Sequence, residues 1–322
     1  MMVRIDAVEV HVCRLPGTTC AMAIVELVAE GLRGIGYTYE PRAAGVITNE
    51  LAPVVLWGDP HLIAGAHGRM LAATRNVDDP AIAAAAVSAV DIAMWDLRAR
   101  LLEKPLAALL GTVRDAVTIC ACAGFGSIRP DSLAREVADY AVRGHRKIAI
   151  AVEPEHSHDR IQTARDAAGP NVELLLDGRN TFSAAQAHEL IDRVGEHDGV
   201  TCFVEPTATS QHLALRFLRE TSPIRIAAGR ETLSAAGHEE LLADACVDIL
   251  LVDATRCLGL TGFLQTDALC ATHGIPMATH GAPAIHIHAA LSTPRALHVS
   301  APSEHARIET LLFEGLAVLH GG

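Results

Sequence analysis

The chain has 322 residues, half of them apolar and only 3% aromatic, so a sizeable core is available and Ala, Leu, Val and Ile must build most of it. Its formal net charge of -12 argues against nucleic acid or an anionic membrane surface as a partner, although local positive charge can still hold a small anion. The eight cysteines, at 13, 20, 120, 122, 202, 246, 257 and 270, form no C-x-x-C pair and fall largely in apolar runs, the pattern of buried thiols in a reducing cytoplasm.

Residues 1 to about 36 read as strands, VRIDAVEVHV and then AMAIVELVAE, with EGLRGIG supplying turns. The alternating N-terminus is not that of a signal peptide, and no apolar run is expected to span a membrane. Thr48–Leu71 and Ala81–Leu110 read as helices. In the second, Val87, Val90, Met94, Leu97 and Leu101 recur on one face, and Pro105 marks a break. Residues 1–116 are therefore expected to form an α+β capping domain.

From Val117 the texture becomes a repeat of apolar strand and helix, roughly every 25 to 30 residues. The expected strands are Val117–Cys122, Lys147–Ala151, Val172–Leu176, Val200–Val204, Ile224–Ala228, Val247–Val252, Ile275–Ala278 and a short one at Ala306–Ile308. Parallel strands with intervening helices imply a closed barrel over residues 117–322, with its site at the strand C-termini. The positions to inspect there are Gly124, Glu153, Asp177, Glu205, Arg230, Asp253, His280 and Glu309.

The stretch from Val247 to His280 is the most informative. An apolar run stops at Asp253, an amphipathic segment with Leu260, Phe263, Leu264, Ala268 and Ala271 at helical spacing follows, Gly274 stops it, and a second run ends at His280. Parallel pairing puts both run-ends on one edge. Asp253 could there orient the His280 imidazole and raise its basicity, or it could cap a turn and leave His280 an ordinary polar loop residue. His286 and His288, on the following helix, read as solvated or core-edge.

The α+β cap, the segment AAAAVSAVDIAMWDLRARLLEKPLAALLG, and the barrel sequences VDILLVDATRCLGLTG and PMATHG together resemble the enolase superfamily. The chain is most similar to its mandelate racemase branch, which includes acid-sugar dehydratases, and the likeness covers nearly the whole chain. It implies a modified TIM barrel of the (β/α)7β type behind the cap. It also implies a base that removes the proton α to a carboxylate of a small hydroxy acid, and a magnesium ion held by three strand-end carboxylates that stabilises the enediolate. The family's His–Asp dyad falls on His280 and Asp253, its first metal ligand on Asp177, and the acid ending the last strand nearest Glu309. Arg179 falls near the metal, where it would bind substrate. A homo-oligomer is implied by analogy.

The rest of the family pattern is altered. Its Lys-x-Lys falls on Ala149 and Ala151, leaving only Lys147 deeper on the same strand face. FVEP replaces the second metal motif, so Val204 takes the ligand position with Glu205 beside it. AAGRE replaces the third, so Arg230 takes that position with Glu231 one step on. The lid loop is shortened to about PGTTC, residues 16–20. An Arg230–Asp177 ion pair in the metal's place is therefore expected, with Arg230 able to bind a carboxylate and stabilise developing negative charge. An alternative metal set is Asp177, Glu205 and Glu231, with a bulge turning the last two inward. The alternative function is a non-catalytic or metal-independent member that binds a small anion or serves as an assembly subunit.

Overall fold

The computed structural model describes residues 3–317 apart from residues 19, 127–128 and 195–198. Position 19, in the shortened loop, thus lies outside the described residues. Strands β1 (Ala7–Arg14), β2 (Ala21–Ala29) and β3 (Leu32–Thr38) form an antiparallel sheet in that order. A helical region follows: α1 (Ala43–Val46), a π-helical turn at Ile47–Leu51, α2 (Ala52–Val55), α3 (Ile63–Thr74), α4 (Pro80–Leu101) and α5 (Leu106–Leu110). The single helix expected over 48–71 is broken between Val55 and Ile63, where Leu56, Gly58, Asp59 and Pro60 leave helical geometry.

The segment expected to supply turns, EGLRGIG, instead contributes most of β3. Its glycines serve packing: a Cβ on Gly34 would come within 2.4 Å of Ala93 O, and one on Gly36 within 2.0 Å of Ala89 O. Both atoms belong to α4, so the glycines and the alanine-rich helix face let helix and sheet approach closely. Asp79 caps α4 by accepting from the Ala81 and Ile82 amides at 3.0 and 3.3 Å, and Pro80 starts it. By length and apolar content α4 could cross a membrane, contrary to the reading that no run is long enough. Most of its residues are instead buried in the core against the sheet and the barrel.

The barrel is closed by eight strands: β4 (Ile119–Ala123), β5 (Lys147–Ala151), β6 (Glu173–Asp177), β7 (Val200–Val204), β8 (Arg225–Ala228), β9 (Ile249–Val252), β10 (Met277–Thr279) and β11 (Ala296–Pro302). Between them run α6 (Pro130–Val142), α7 (Ser157–Ala168), α8 (Ala184–Val194), α9 (His212–Thr221), α10 (Ala235–Ala243), α11 (Gly259–His273) and α12 (Pro283–Leu291). α13 (Ser303–Leu312) follows β11, which completes the (β/α)7β order. The strand expected at Ala306–Ile308 is therefore a correction: those residues are helical, and ALHVSAP closes the barrel.

Alternate strand residues divide into two cores. Cys122, Ala149, Leu175, Cys202, Val204, Leu251 and Ala278 fill the lumen, while Ile148, Ile150, Leu174, Leu176, Ile226 and Val252 pack outward against the helices. The lumen is unusually rich in small residues and thiols. All eight cysteines are free, and six are buried.

Candidate active site

Continuing the inward parity past the strand ends places Asp177, Asp253 and His280 toward the barrel mouth. A cavity of about 540 Å³ opens there, lined by Arg179, Arg230, Glu231, Asp253, Arg256, His280 and His305, and roofed by Thr38, Tyr39 and Glu40 of the cap. The cap therefore contributes a wall of the site, as concave enzyme sites between layers commonly require.

Arg230 and Asp177 form the ion pair expected from the sequence. Arg230 Nη1 donates to Asp177 Oδ2 at 3.0 Å, and the two side chains are 12% and 3% exposed. The other Asp177 oxygen accepts from the Arg179 amide at 2.9 Å, while the Arg179 guanidinium pairs with Glu153. Val204, at the end of β7, offers only methyl groups to the lumen.

Glu205 turns away from the cavity. Its backbone takes a left-handed φ of 44°, and its fully buried carboxylate accepts from the Gly229 and Arg230 amides at 3.0 and 2.8 Å. Thr209 donates to its other oxygen at 3.2 Å. Burial pushes its pKa to about 7, against the pull of Arg230. This carboxylate braces the ends of β7 and β8, and its oxygens are taken by protein donors. Glu231 lines the cavity but is exposed, and among the described residues its carboxylate does not cluster with those of Asp177 and Glu205. The alternative ligand trio of Asp177, Glu205 and Glu231 is not brought together.

The strand-helix-strand reading does bring Asp253 and His280 to one cavity, but among the described residues no hydrogen bond or ion pair joins their side chains. Asp253 Oδ1 accepts from the Thr255 amide at 2.8 Å and its hydroxyl at 2.7 Å, which is the turn-capping alternative. The histidine nearest this carboxylate is His286, whose Nε2 stands 3.8 Å from Asp253 Oδ1. His286 is not at a core edge; it is wholly buried. It accepts from the Ala254 amide at 2.9 Å through Nε2 and contacts Gly281 O at 2.6 Å through Nδ1, which fixes the neutral Nδ1–H tautomer and ties together the loops after β9 and β10.

His280 is held well below the ordinary histidine range by withdrawal from water, by the Arg230 charge and by His305. It is a neutral imidazole facing a cationic wall. Two residues here were not singled out from the sequence. His305, on α13, stacks on Tyr39 with ring centroids 3.5 Å apart, accepts from the Ala282 amide at 3.3 Å, and is depressed to about 4 by burial. Arg256 lines the same wall. Both fall outside the strand ends that barrel logic selects, and a misplaced last strand hid His305.

Two further expected residues lie elsewhere. Lys147 opens β5 and pairs with Glu173, which opens β6, at 2.8 Å. Asp177 ends β6, so Lys147 sits about 13 Å lower in the barrel at strand rise, beside His298 and Arg225 in a separate cavity at the N-terminal ends. Lys147 thus shares the strand face but lies deeper, as its place before Ala149 implies, and too deep to reach the mouth. Glu309 lies on α13 rather than a strand end, 1% exposed, bonded to the Tyr37 hydroxyl, to Tyr39 at 3.0 Å and to the Ala284 amide at 3.1 Å. Burial raises its pKa to about 7, and it clamps the cap to the barrel beneath the cavity wall.

An eight-stranded barrel with a mouth capped by an N-terminal α+β layer, and charged groups at its strand ends, defines a barrel-enzyme class whose site forms where cap and barrel meet. Sequence comparison makes this specific. Residues 3–111 match the mandelate racemase / muconate lactonizing enzyme N-terminal domain, and residues 132–322 match the enolase C-terminal domain-like family. The chain belongs to the mandelate racemase/muconate lactonizing enzyme branch of the enolase superfamily.

It is 29% identical over 288 residues to the L-talarate/galactarate dehydratase of Salmonella typhimurium, covering 87% of this chain and 72% of that protein. A mandelate racemase/muconate lactonizing enzyme-like protein from Rubrobacter xylanophilus superposes with a TM-score of 0.93 at 34% identity, over 99% of this chain and 93% of that one. The L-talarate dehydratase of Polaromonas sp. JS666, solved with Mg and L-glucarate, superposes at 0.89 with 26% identity, over 99% and 91% of the two chains. Cycloisomerases also occur among the relatives. The named relatives are thus lyases and isomerases, the classes expected from the sequence.

Proposed function

We propose that the chain is a lyase or isomerase that removes the proton α to a carboxylate of a small hydroxy acid or acid sugar, with His280 as the base and Arg230 as the electrophile. The observation that carries this reading is a neutral imidazole and a buried guanidinium sharing one wall of the cavity at the barrel mouth. The substrate carboxylate would lie against Arg230 and Arg256. His280 takes the α proton, the C–H electron pair moves into the carboxylate to give an enediolate, and Arg230 meets the developing negative charge. The imidazolium then returns the proton, either to carbon or to a departing β-hydroxyl that leaves as water.

Magnesium is the family's usual electrophile, and bound to three carboxylates it would neutralise the enediolate. The residues here do not fit it. Of the three ligand positions, Asp177 is paired with Arg230, the Val204 side chain has no oxygen and its carbonyl already accepts from the Gly178 amide, and Arg230 is itself a cation. A hard dication needs several oxygen donors and is repelled by a guanidinium. No step of the mechanism passes through a metal.

One observation favours a second reading, a non-catalytic member that binds a small anion: the Asp253 carboxylate is spent on Thr255 rather than on His280. Solvent exchange decides between them. Acid sugars and α-hydroxy acids in heavy water, with and without magnesium, should lose their α-proton NMR signal without the metal. Exchange that requires magnesium would overturn the role of Arg230. Binding of these acids without exchange would favour the second reading.

A further inference from the structure

Far from the barrel mouth, three donor atoms from two segments converge on the outer wall. His212 opens α9, Asp244 closes α10, and Cys246 lies in the connection into β9. A ring nitrogen of His212, an Asp244 carboxylate oxygen and Cys246 Sγ all lie within 4.8 Å of one another, and His212 Nδ1 stands 2.6 Å from Asp244 Oδ2. Donors at tetrahedral zinc distances are separated by about 3.3–3.8 Å, so side-chain adjustment alone would seat an ion.

The backbone builds this convergence. Ala245 takes a left-handed φ of 54°, fixed by its amide to Leu242 O at 3.1 Å and by the Cys246 amide to Leu241 O at 3.0 Å. The side chains on either side of Ala245 then both reach His212. The sulfur is buried, the imidazole 27% exposed and the carboxylate 58% exposed, which leaves the outer side open to water. The nearby arginines are already paired: Arg216 with Glu220 at 2.9 Å, and Arg219 with Asp248 at 2.9 Å and Ala245 O at 3.2 Å. A comparable grouping on the cap sheet, Glu9, His11 and Glu26, lacks this feature, because Arg33 already bridges its two carboxylates.

We propose that His212, Asp244 and Cys246 bind a dication of the zinc class, with one water as fourth ligand. Imidazole and thiolate donors select zinc, cobalt and their neighbours over magnesium. On binding, the Cys246 S–H bond breaks, the sulfur bonds to the metal and that proton passes to solvent, while the Nδ1 proton that His212 shares with Asp244 moves by way of solvent to Nε2 and frees the Nδ1 lone pair for the metal. The ion would pin the start of α9 to the α10–β9 connection.

The test is a cobalt(II) titration of the metal-free full chain. One equivalent should produce a thiolate-to-cobalt charge-transfer band in the near ultraviolet, release one proton to a pH indicator, and be bleached by zinc but not by excess magnesium. C246S should abolish the band, and H212Q should weaken cobalt binding by more than the roughly 10–100-fold that losing a merely supporting group costs. Circular dichroism of both variants checks folding, and the wild-type titration stands if either fails to fold. A wild type without the band, a band that survives in C246S, or unchanged affinity in H212Q would overturn the proposal.

Discussion

Arg230 Nη1 reaches Asp177 Oδ2 at 3.0 Å inside the barrel mouth, with both side chains nearly withdrawn from water. A buried pair of this kind gives little net stability when whole, because each partner lost its hydration to enter, but breaking it leaves an uncompensated charge.

Arg230→Met should therefore destabilise the protein by about 3–5 kcal/mol, measured by denaturant unfolding. Arg230→Glu should place a second carboxylate beside Asp177 and create magnesium affinity that calorimetry detects and the wild type lacks. Micromolar magnesium binding by the wild type would contradict the assigned role of Arg230.

His280 should act as a base to unusually low pH. Its pKa lies well below the ordinary 6.5, so the neutral form persists where an exposed histidine would be protonated. The acid limb of kcat/KM for α-proton exchange should fall below pH 6.5, and His280→Asn should abolish exchange while leaving the circular dichroism unchanged. An acid limb at or above 6.5, or exchange surviving the substitution, would remove His280 from the mechanism.

Glu309 should make stability fall as pH rises. Its carboxyl moves from an ordinary 4.5 to about 7 in the folded protein, so between these values the native state holds a proton that the unfolded chain has released. Its contribution is present below about pH 4.5, declines up to about pH 7 and is flat above that. The loss is at most about 3 kcal/mol. Glu205 titrates with the same sign, while the depressed histidines His280, His286 and His305 titrate with the opposite one, so Glu309→Gln should shift the slope by the share of Glu309 alone. Unfolding free energies of the two proteins at pH 5 and pH 8 should differ accordingly, and equal slopes would show that Glu309 is ionised in the fold.

The sequence by itself determined the architecture. Apolar runs of four to six residues, spaced by helical segments, set seven of the eight barrel strands to within a few residues, because strand and helix periods are local properties of the chain. That Arg230 faces Asp177 is what the family resemblance implies and not what parity gives: Ala227 points into the lumen, so a regular strand would turn residue 230 outward, and Gly229 at φ 121° brings it in. Parity failed where the backbone left regular geometry. Glu205, by contrast, faces away from the lumen as its place beside Val204 implies, and only the structure shows that its left-handed φ carries its carboxylate onto the Gly229 and Arg230 amides.

Only the tertiary structure decided which histidine stands beside Asp253 and how deep each barrel group lies. His286 reaches Asp253 because α12 folds back beneath the loop after β9, a contact 33 positions apart in sequence. Lys147 shares a strand face with the mouth but sits at the opposite end of the lumen, since face repeats every two residues and height does not. Likewise Glu309 lies far along the chain from Tyr37 and Tyr39, and the cap must dock before they meet. Periodicity fixes direction along one element, whereas a site is a set of distances between elements, and those are set by packing.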